Sequence, residues 1–579
     1  MRLVNCIKNL LTGLYSSFKR FPLTILFSAS VALVLIIISE INPGNNTLNR
    51  IVLVLALGIP VSLCIKLFLE RKGWEDKCKI SVVSCACGML FLVLYYFLFL
   101  KNTEMVSITR YFAVSLSLYM GFLFIPYFLK KEQFEMYVII VFTSFFITII
   151  YSIVLYLGLS AILFTINKLL EIKISGKIYY YTWLLVVFIF SMSYFLSGVP
   201  SKHKEMSVKS YPKLFKILLL YIVMPLLTAY TIILYIYFGK IIVTRHWPVG
   251  MVSNLVLWYS IIVTMVLFFI TPIKDENSWQ NRFLKFCPKI ILPLIIMMFI
   301  SLSIRINAYG VTENRYFVAI LGIWVFFVMI YLSFIKKIRN IMIPITLSIV
   351  SLISVFGPLS SYSISKMNQN NRFEKILIKN NMIRDRKIQI NPNISTEDKS
   401  KINSILDYFN KNHSFKEIKY LPQDFNLDHM KDVFGFSFTS PNYGSNEEYF
   451  NFTRKEDHQS INISGYDYLF DMSSISSTGN PPNSNLTVWY DYETSIIKMN
   501  YKGNEIYTKN LNNFTNNLGK KHSTLSRENS LSPEEMTLVD ENQKIKVKFI
   551  FLNISGNKNT LDETIKTNRV DFYVLVKMK

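Results

Sequence analysis

Charged and polar side chains cluster most densely between Arg305 and Arg315, in a segment that separates two long apolar runs. The two guanidinium groups flank the carboxylate of Glu313, and such a set could bind an anionic lipid headgroup or hold a carboxylate between two arginines. The alternative is structural, with Glu313 neutralising one arginine while Gly310 turns the chain. The candidate binding residues of this segment are Arg305, Asn307, Tyr309, Glu313, Asn314 and Arg315.

A second polar segment, from Arg245 to Gly250, is expected on the same side of the membrane. Its candidate binding residues are His246 and Trp247. A tryptophan in such a place also serves as an anchor at the membrane interface, and a loop histidine can simply be solvated. The sequence leaves these roles open.

No known catalytic pattern accompanies these segments. The chain lacks Gly-x-Ser-x-Gly, His-Glu-x-x-His, a Walker loop, Cys-x-x-Cys and the dinucleotide glycine fingerprint. Cys85 and Cys87 lie within an apolar run without acidic or histidine partners, and the tail histidines, including His413, are scattered. Polytopic glycosyltransferases have a similar layout, but usually place acidic residues in the first external loop, where this chain has only the preceding Glu40. We therefore predict no catalytic residue, cofactor or metal, and the sequence leans against an enzyme.

Eleven apolar runs must position the polar segments, because a bilayer core of about 30 Å requires about 20 apolar residues per helical span. No ionisable residue occurs near the middle of any run, which weakens the hypothesis of a proton- or cation-coupled transporter without excluding it. The fifth run exceeds a vertical span, and the ninth is short and contains Pro293. The runs are Phe21 to Ile41, Ile51 to Leu69, Ile80 to Leu100, Tyr111 to Leu129, Met136 to Ile166, Ile178 to Val199, Leu214 to Phe238, Met251 to Thr271, Phe286 to Ile304, Tyr316 to Phe334 and Ile341 to Ser361.

The composition also indicates a membrane protein. Of the 579 residues, 51% are hydrophobic and 17% charged, and the mean hydropathy is +0.33. The net charge of +24 would suggest a nucleic-acid partner in a soluble chain, but +21 of it precedes Ser365, between the apolar runs. The N-terminus and the loops after even-numbered runs hold about twice as many Lys and Arg residues as the alternate loops. We therefore predict a multi-pass protein of the bacterial plasma (inner) membrane with a cytoplasmic N-terminus and an extracytoplasmic C-terminal domain.

Polar sequence on both sides of the runs predicts further elements. Residues 1–20 have apolar side chains at helical spacing, which predicts an amphipathic helix on the cytoplasmic face. A helical stripe from Lys366 to about Asp385 and a capping box at Ser395 predict two more helices. The period then changes towards two and predicts strands, including Ser460 to Ser464, in a soluble α+β domain with an antiparallel sheet. The predicted divisions are an amphipathic helix at 1–20, a transmembrane bundle at 21–361, a helical membrane-proximal segment at 362–433 and a β-rich domain at 434–579.

Five segments carry a resemblance to a known family. They are Lys19 to Thr24, Tyr221 to Leu226, Trp247 to Ser253, Arg305 to Tyr316 and Ile463 to Tyr468. Together they resemble the bacterial polytopic family DUF 4153, whose function is unknown, and the Glu-Asn-Arg-Tyr stretch of the fourth segment is the most specific. The resemblance spans most of the chain and implies a bacterial inner or plasma membrane protein, with no activity to carry over.

Two functional hypotheses remain. The first is a non-enzymatic integral membrane protein of the envelope that binds a partner, lipid or cell-wall component at its outer face. Its partners would be the lipid bilayer and an anionic lipid, a cell-envelope component or another membrane protein, with no nucleic acid. The second is a transporter or an outer-leaflet enzyme that handles lipids or glycans. Convergent acidic groups near Glu40 and Glu313, or a water-filled cavity reaching the middle of the bilayer, would favour the second.

Overall fold

The protein divides into two compact units, Met1–Phe438 and Thr439–Lys579. The first contains the apolar runs and the helices that follow them, and the second is mainly β-structure. The residues described by the computed structural model are 12–41, 46–74, 76–128, 133–201, 211–245, 251–273, 278–335, 337–385, 387–439, 447–455, 460–472, 485–491, 494–521, 529–559 and 565–579.

Apolar helices form most of the first unit. Within the described residues, ten helices are long and apolar enough to cross a membrane. The class predicted from the sequence, a polytopic α-helical membrane protein, is therefore confirmed, and contact with a lipid bilayer follows from it. The helices are α1 (Pro22–Ile41), α2 (Asn46–Lys72), α3 (Cys78–Leu98), α4 (Met105–Tyr127), α5 (Phe134–Leu169), α6 (Gly176–Ser197), α7 (Lys213–Thr244), α8 (Val252–Ile273), α9 (Ser278–Tyr309) and α10 (Glu313–Phe334).

Contacts between helix termini define two ends of this bundle. At the first, called the Glu70 end, Arg20 before α1 contacts Glu70 near the end of α2 and the carbonyl oxygen of Val199 after α6. The second, called the Glu313 end, contains the turn between α9 and α10, where α10 begins at Glu313. Of the predicted amphipathic helix, residues 12–20 are helical and the remainder lies outside the described residues.

The eleventh apolar run forms a helix of only 12 residues, α11 (Met342–Ile353), which is about 18 Å long. It lies antiparallel to α4, since the hydroxyl groups of Ser348 and Ser117 are 2.6 Å apart and Ser351 donates to the carbonyl oxygen of Ala113. The residues after Ile353 continue in turns, because Gly357 adopts a left-handed conformation and Pro358 cannot extend a helix.

Both predicted irregular runs are long helices. The fifth run lies in α5, whose 36 residues extend about 54 Å. The ninth run lies in α9, which has 32 residues and continues through Pro288 and Pro293. Turns with π-helical hydrogen bonding interrupt α6 at Val186–Ser191 and α7 at Leu218–Val223.

Two larger helices form a helical layer, residues 361–438, after the bundle. They are α12 (Ser361–Lys379) and α13 (Thr396–Asn412), and a short helix α14 (Met430–Phe434) follows. The Ser395 hydroxyl caps α13 by accepting a hydrogen bond from the Asp398 backbone N–H. A two-stranded hairpin, β1 (Ile383–Arg384) with β2 (Lys387–Ile388), joins α12 to α13. The apolar core of the layer includes Phe373, Leu377, Ile402, Phe409 and Phe434.

The second unit contains the antiparallel sheets expected from the sequence. The larger sheet has the order β4-β11-β10-β3-β8, with β9 also paired to β10, and the smaller has the order β5-β6-β7. Only the β3–β8 pair among these ladders is parallel within the described residues. The elements are β3 (Glu447–Arg454), β4 (Tyr468–Asp471), β5 (Leu486–Asp491), β6 (Ile496–Tyr501), β7 (Asn504–Asn510), α15 (Asn512–Lys521), β8 (Asn529–Leu531), β9 (Thr537–Glu541), β10 (Ile545–Asn559) and β11 (Ile565–Met578).

One predicted strand is wrong. Ser460 to Ser464 is not a strand, because the side-chain oxygen of Asn462 accepts a hydrogen bond from the Ser464 backbone N–H and turns the chain. The next strand begins only at Tyr468. Alternating residue types therefore placed a strand where local side-chain bonding forms a turn.

Candidate functional site

The segment from Arg305 to Arg315 forms the end of α9, a tight turn and the start of α10. Gly310 has a φ angle of +75°, a backbone conformation that glycine adopts without a steric cost. A Cβ atom at this position would come within 2.7 Å of side-chain atoms of Arg372 and Gln369. The turn is therefore closed by side chains from α12, which lies across it.

Helix α12 holds the turn through the backbone of the turn residues. The Gln369 amide nitrogen donates to the carbonyl oxygens of Tyr309, at 3.2 Å, and Val311, at 3.0 Å. Arg372 donates to the carbonyl oxygen of Ala308 at 2.9 Å. The terminal carbonyl groups of α9 lack partners within their own helix, so these bonds satisfy them and fix α12 to the bundle.

The carboxylate of Glu313 is buried where the turn meets α13. Its side chain is 2% exposed, and Oε1 accepts a hydrogen bond from the Tyr408 hydroxyl at 2.6 Å. The Nε2 atom of His413 is 2.8 Å from the same oxygen, and Nδ1 lies 3.4 Å from the Glu417 carboxylate. Each ring nitrogen of His413 therefore faces a carboxylate. We call Glu313, Tyr408, His413 and Glu417 the Glu313 cluster.

Burial decides which group donates in this cluster. Burial first, and then the nearby charge of Glu313, raise the pKa of Tyr408 well above its usual range. The phenol therefore keeps its proton and donates to Glu313. A hydrogen bond to a charged acceptor is stronger than one between neutral groups, and it compensates for the loss of water around the carboxylate. The cluster joins the bundle to the helical layer.

The other predicted residues of the segment fall into two groups. Arg315 donates to the carbonyl oxygens of Gly310, at 2.7 Å, and Tyr309, at 3.3 Å, and its guanidinium group lies 5.5 Å from the centre of the Tyr309 ring. Arg305 is half-buried. By contrast, the exposed side chains are Asn307, Tyr309 and Asn314. His246 and Trp247, from the second polar segment, lie outside the described residues.

The sequence did not point to the partners of Glu313. Tyr408 and His413 lie 95 and 100 residues after it, and the tail histidines showed no spacing that indicates a site. A signal was nevertheless present, because Tyr408 lies beside Phe409 on the apolar stripe of α13, where a hydroxyl group requires a buried partner. Among the residues that the structure describes, no group of three or more His, Cys, Asp and Glu side chains could hold a metal ion.

Comparison with known proteins gives the family. The model of a family described as "Domain of unknown function (DUF4153)" matches residues 25–387, which is more than half of the chain. The chain belongs to this family. The DUF4153 match contains the Arg305–Arg315 segment together with Gln369 and Arg372, but it ends before α13, which carries Tyr408.

One curated relative also gives no activity, because it is itself described as uncharacterized. The chain is 23% identical over 336 residues to an uncharacterized protein of Pasteurella multocida (strain Pm70), and the match covers 55% of this chain and 56% of that protein. The chain thus spans about half the length of this relative. No solved structure matches the chain.

Proposed function

We propose that the protein is a non-enzymatic component of the bacterial envelope, which binds an envelope component at the Glu313 end of the bundle. The observation that carries this proposal is the double attachment of the helical layer to the turn, through Gln369 and Arg372 on one side and Tyr408 on the other. A turn fixed in this way is a rigid base for a binding surface, and rigid groups lose less conformational entropy when a ligand binds.

The binding surface in this proposal consists of the exposed side chains Asn307, Tyr309 and Asn314. Amide side chains both donate and accept hydrogen bonds, and a tyrosine presents an apolar ring with a polar tip. Arg315 already donates to two carbonyl oxygens, which reduces its capacity for an anion. We therefore favour a neutral, hydroxyl-rich cell-wall component over an anionic headgroup or another membrane protein.

The orientation is part of the same proposal. The loops at the Glu70 end carry the excess of Lys and Arg residues, which favours a cytoplasmic position for that end. The eleventh run supports an odd number of crossings, because Asn340 before α11 contacts Glu135 at the start of α5, whereas Arg110 in the first turns of α4 contacts the carbonyl oxygen of Val355 after α11. The Glu313 end and the second unit would then be extracytoplasmic in the inner (plasma) membrane.

A double variant tests the binding surface. Asn307→Ala with Tyr309→Ala should weaken binding of the purified protein to isolated cell-wall polymer, measured by co-sedimentation, while leaving its thermal unfolding unchanged. The matched control is Asn393→Ala with Tyr468→Ala, two exposed positions outside the surface. If the double variant binds cell wall as well as the unchanged protein does, or if only anionic lipid vesicles bind, the proposed surface or ligand is wrong.

A cavity near the start of α7 and α9 is the observation behind transport as a second candidate function. Its volume is about 420 Å³, and it is lined by residues of the π-helical turn in α7, by Pro225 and by Gln280 at the start of α9. The Gln280 side chain is 1% exposed, and its amide makes no hydrogen bond to the part of the chain that the structure describes. If the cavity lies on a transport path, Gln280→Leu should abolish solute uptake by vesicles reconstituted with the protein. Unchanged solute uptake would rule out transport through this cavity.

The acidic groups named for an outer-leaflet enzyme have separate partners. Glu40 pairs with Lys177 at 3.0 Å and accepts a hydrogen bond from Tyr181, whereas Glu313 contacts Tyr408 and His413. Each carboxylate therefore already has its own partners, Glu40 within the bundle and Glu313 in the helical layer, which gives no support for a shared acid–base pair. We therefore rank the enzyme hypothesis below the binding and transport hypotheses.

A further inference from the structure

Lysines form an array on one face of the larger sheet in the second unit. Strands β10 and β11 are antiparallel, and Lys546 of β10 pairs directly with Lys577 of β11. The backbone N–H of Lys579 donates to the carbonyl oxygen of Lys544 at 2.9 Å, so a second pair of lysines lies beside the first. We call the following residues the lysine array: Lys544, Lys546, Lys548, Lys577 and Lys579.

The lysine array lies on the side of the sheet away from its apolar core. Successive residues of a strand point to opposite faces, and Val547, between Lys546 and Lys548, is fully buried in that core. On β11, Val576 is buried in the same core beside Lys577. Lys577 is exposed, and the two lysines within β10 are half-buried. The array is therefore part of the surface of the second unit.

Few carboxylates balance this positive charge. Glu541 of β9 is 3.3 Å from Lys579, and Asp467 accepts a hydrogen bond from the Met578 backbone N–H at 2.7 Å. The pair of Lys579 with Glu541 is the one ion pair that the array forms with the described residues, and none of the five lysines has a further interaction. Five ammonium groups therefore lie beside two side-chain carboxylates.

The arrangement has a cost for the sheet. Like charges directly opposite each other on neighbouring strands are destabilising, so the pair of Lys546 with Lys577 does not stabilise the fold through its charges. A bound anion would offset this repulsion. Same-face residues of a strand are about 7 Å apart, so the array extends about 14 Å from Lys544 to Lys548. One small anion cannot contact all of these lysines, whereas a chain with repeated negative charges can.

We propose that the lysine array binds a linear polyanion of the cell envelope, whose chain carries phosphodiester or carboxylate groups. Charge complementarity selects an anionic partner over a neutral one. Lysine suits either group, because its ammonium is a compact point charge that does not require the planar, bidentate geometry of arginine. The array is two strands wide, and this narrow strip fits one extended chain better than the broad surface of a bilayer.

The test measures polyanion binding to the purified full-length protein in a non-ionic detergent by isothermal titration calorimetry. The probes are inorganic polyphosphate and polygalacturonate, and methyl-esterified polygalacturonate is the uncharged polymer, which should not bind. Lys546→Gln with Lys577→Gln should weaken polyanion binding by roughly tenfold or more, because each lysine near an anionic surface contributes about a factor of five. Its unfolding temperature should stay the same or rise, since a like-charge pair is removed. Binding of one probe alone would assign the partner to phosphodiester or to carboxylate chemistry.

Two further variants serve as controls. Lys498→Gln with Lys566→Gln removes two exposed lysines of the second unit outside the array and should bind polyanion as the parent does. Lys546→Arg with Lys577→Arg keeps the positive charge and should retain binding. Equal polyanion affinity of the parent and the glutamine variant of the array would overturn the proposal, and so would binding to phosphatidylglycerol vesicles alone. The surface at the Glu313 end is unchanged in all these variants, so their failure leaves the proposed function intact.

Discussion

The two ends of the bundle each bury a glutamate, but the side chains that bind its carboxylate differ. At the Glu70 end, Glu70 binds Arg20, which also donates to the carbonyl oxygens after α6. At the Glu313 end, Glu313 binds Tyr408 and His413 of the helical layer. The first arrangement joins transmembrane helices to one another, and the second joins them to the structure that follows.

This difference has a physical consequence. Arginine binds a carboxylate through two parallel hydrogen bonds between opposite charges, so the Glu70 contact is a bidentate ion pair. At the other end, the Glu313 carboxylate instead contacts the hydroxyl group of Tyr408 and a ring nitrogen of His413. Burial of the same residue type therefore depends on one arginine at one end and on two side chains of the helical layer at the other.

The largest expected effect is at the Glu70 end. Arg20→Ala should destabilise the protein by about 2–3 kcal/mol, because it leaves a buried carboxylate without its main counter-charge. The estimate lies at or below the lower limit of the range of about 3–5 kcal/mol for fully buried pairs, since the two side chains are 22% and 10% exposed. Thermal unfolding in detergent measures it. Adding Glu70→Gln should restore part of the loss, and a variant as stable as the parent would contradict the account.

A smaller loss is expected at the Glu313 end. Tyr408→Phe removes the hydroxyl that donates to Glu313 and should cost about 2 kcal/mol, the usual range for a hydrogen bond to a charged group. Tyr468→Phe is the control, because Tyr468 is exposed. Limited proteolysis should release the helical layer faster in Tyr408→Phe than in Tyr468→Phe. Equal rates of release in the two variants would show that the Tyr408 hydroxyl does not hold the layer on the bundle.

The turn between α9 and α10 should be less sensitive. Gly310→Ala forces a side chain into a left-handed backbone conformation beside Arg372 and Gln369, and we expect a loss of about 1–2 kcal/mol. Gly158→Ala is the matched control, since its added Cβ meets nothing within 4 Å and the position is helical. Thermal unfolding should show a larger loss of stability in Gly310→Ala than in Gly158→Ala. A larger loss in Gly158→Ala would argue against a constrained turn.

The smallest effect concerns acid stability within the helical layer. The hydrogen bond from Lys379, together with bonds from Asn380 and Ser395, holds the pKa of Asp398 below its usual range, although burial opposes this. A carboxyl group with a lowered folded-state pKa stabilises the fold above its ordinary pKa, and this contribution is lost as the pH falls through the folded-state value. Asp398→Asn should remove this part of the pH dependence, measured by unfolding between about pH 2 and 5. An identical profile would assign the acid sensitivity to other groups.

Local patterns were sufficient for most of the fold. The apolar runs predicted the bundle, since run length is fixed by bilayer thickness, and the capping box at Ser395 predicted the start of α13, since capping involves only four consecutive residues. The length of α11 could not be obtained in this way, because hydropathy continues past Ile353 while the helix does not.

The contacts of the site could be predicted only in part. The sequence singled out Glu313 and Arg315 and considered an arginine partner for the carboxylate, but the bonds to Tyr408 and His413 join segments about 100 residues apart. Likewise, Arg20 and Glu70 meet only because α1 and α2 are antiparallel. Such pairs depend on helix packing, which periodicity does not encode. Whether Asn307 and Asn314 bind a ligand remains a prediction.

The proposed orientation places the two ends of the bundle on opposite sides of the membrane, with the Glu313 end outside. Asn314→Cys in an otherwise cysteine-free chain, and Cys78 retained alone in a second chain, place one exposed thiol at each end. A membrane-impermeant maleimide added to intact cells or spheroplasts should label the cysteine at 314 and spare Cys78 until the membrane is permeabilised. Labelling of Cys78 with protection of position 314 would contradict the account.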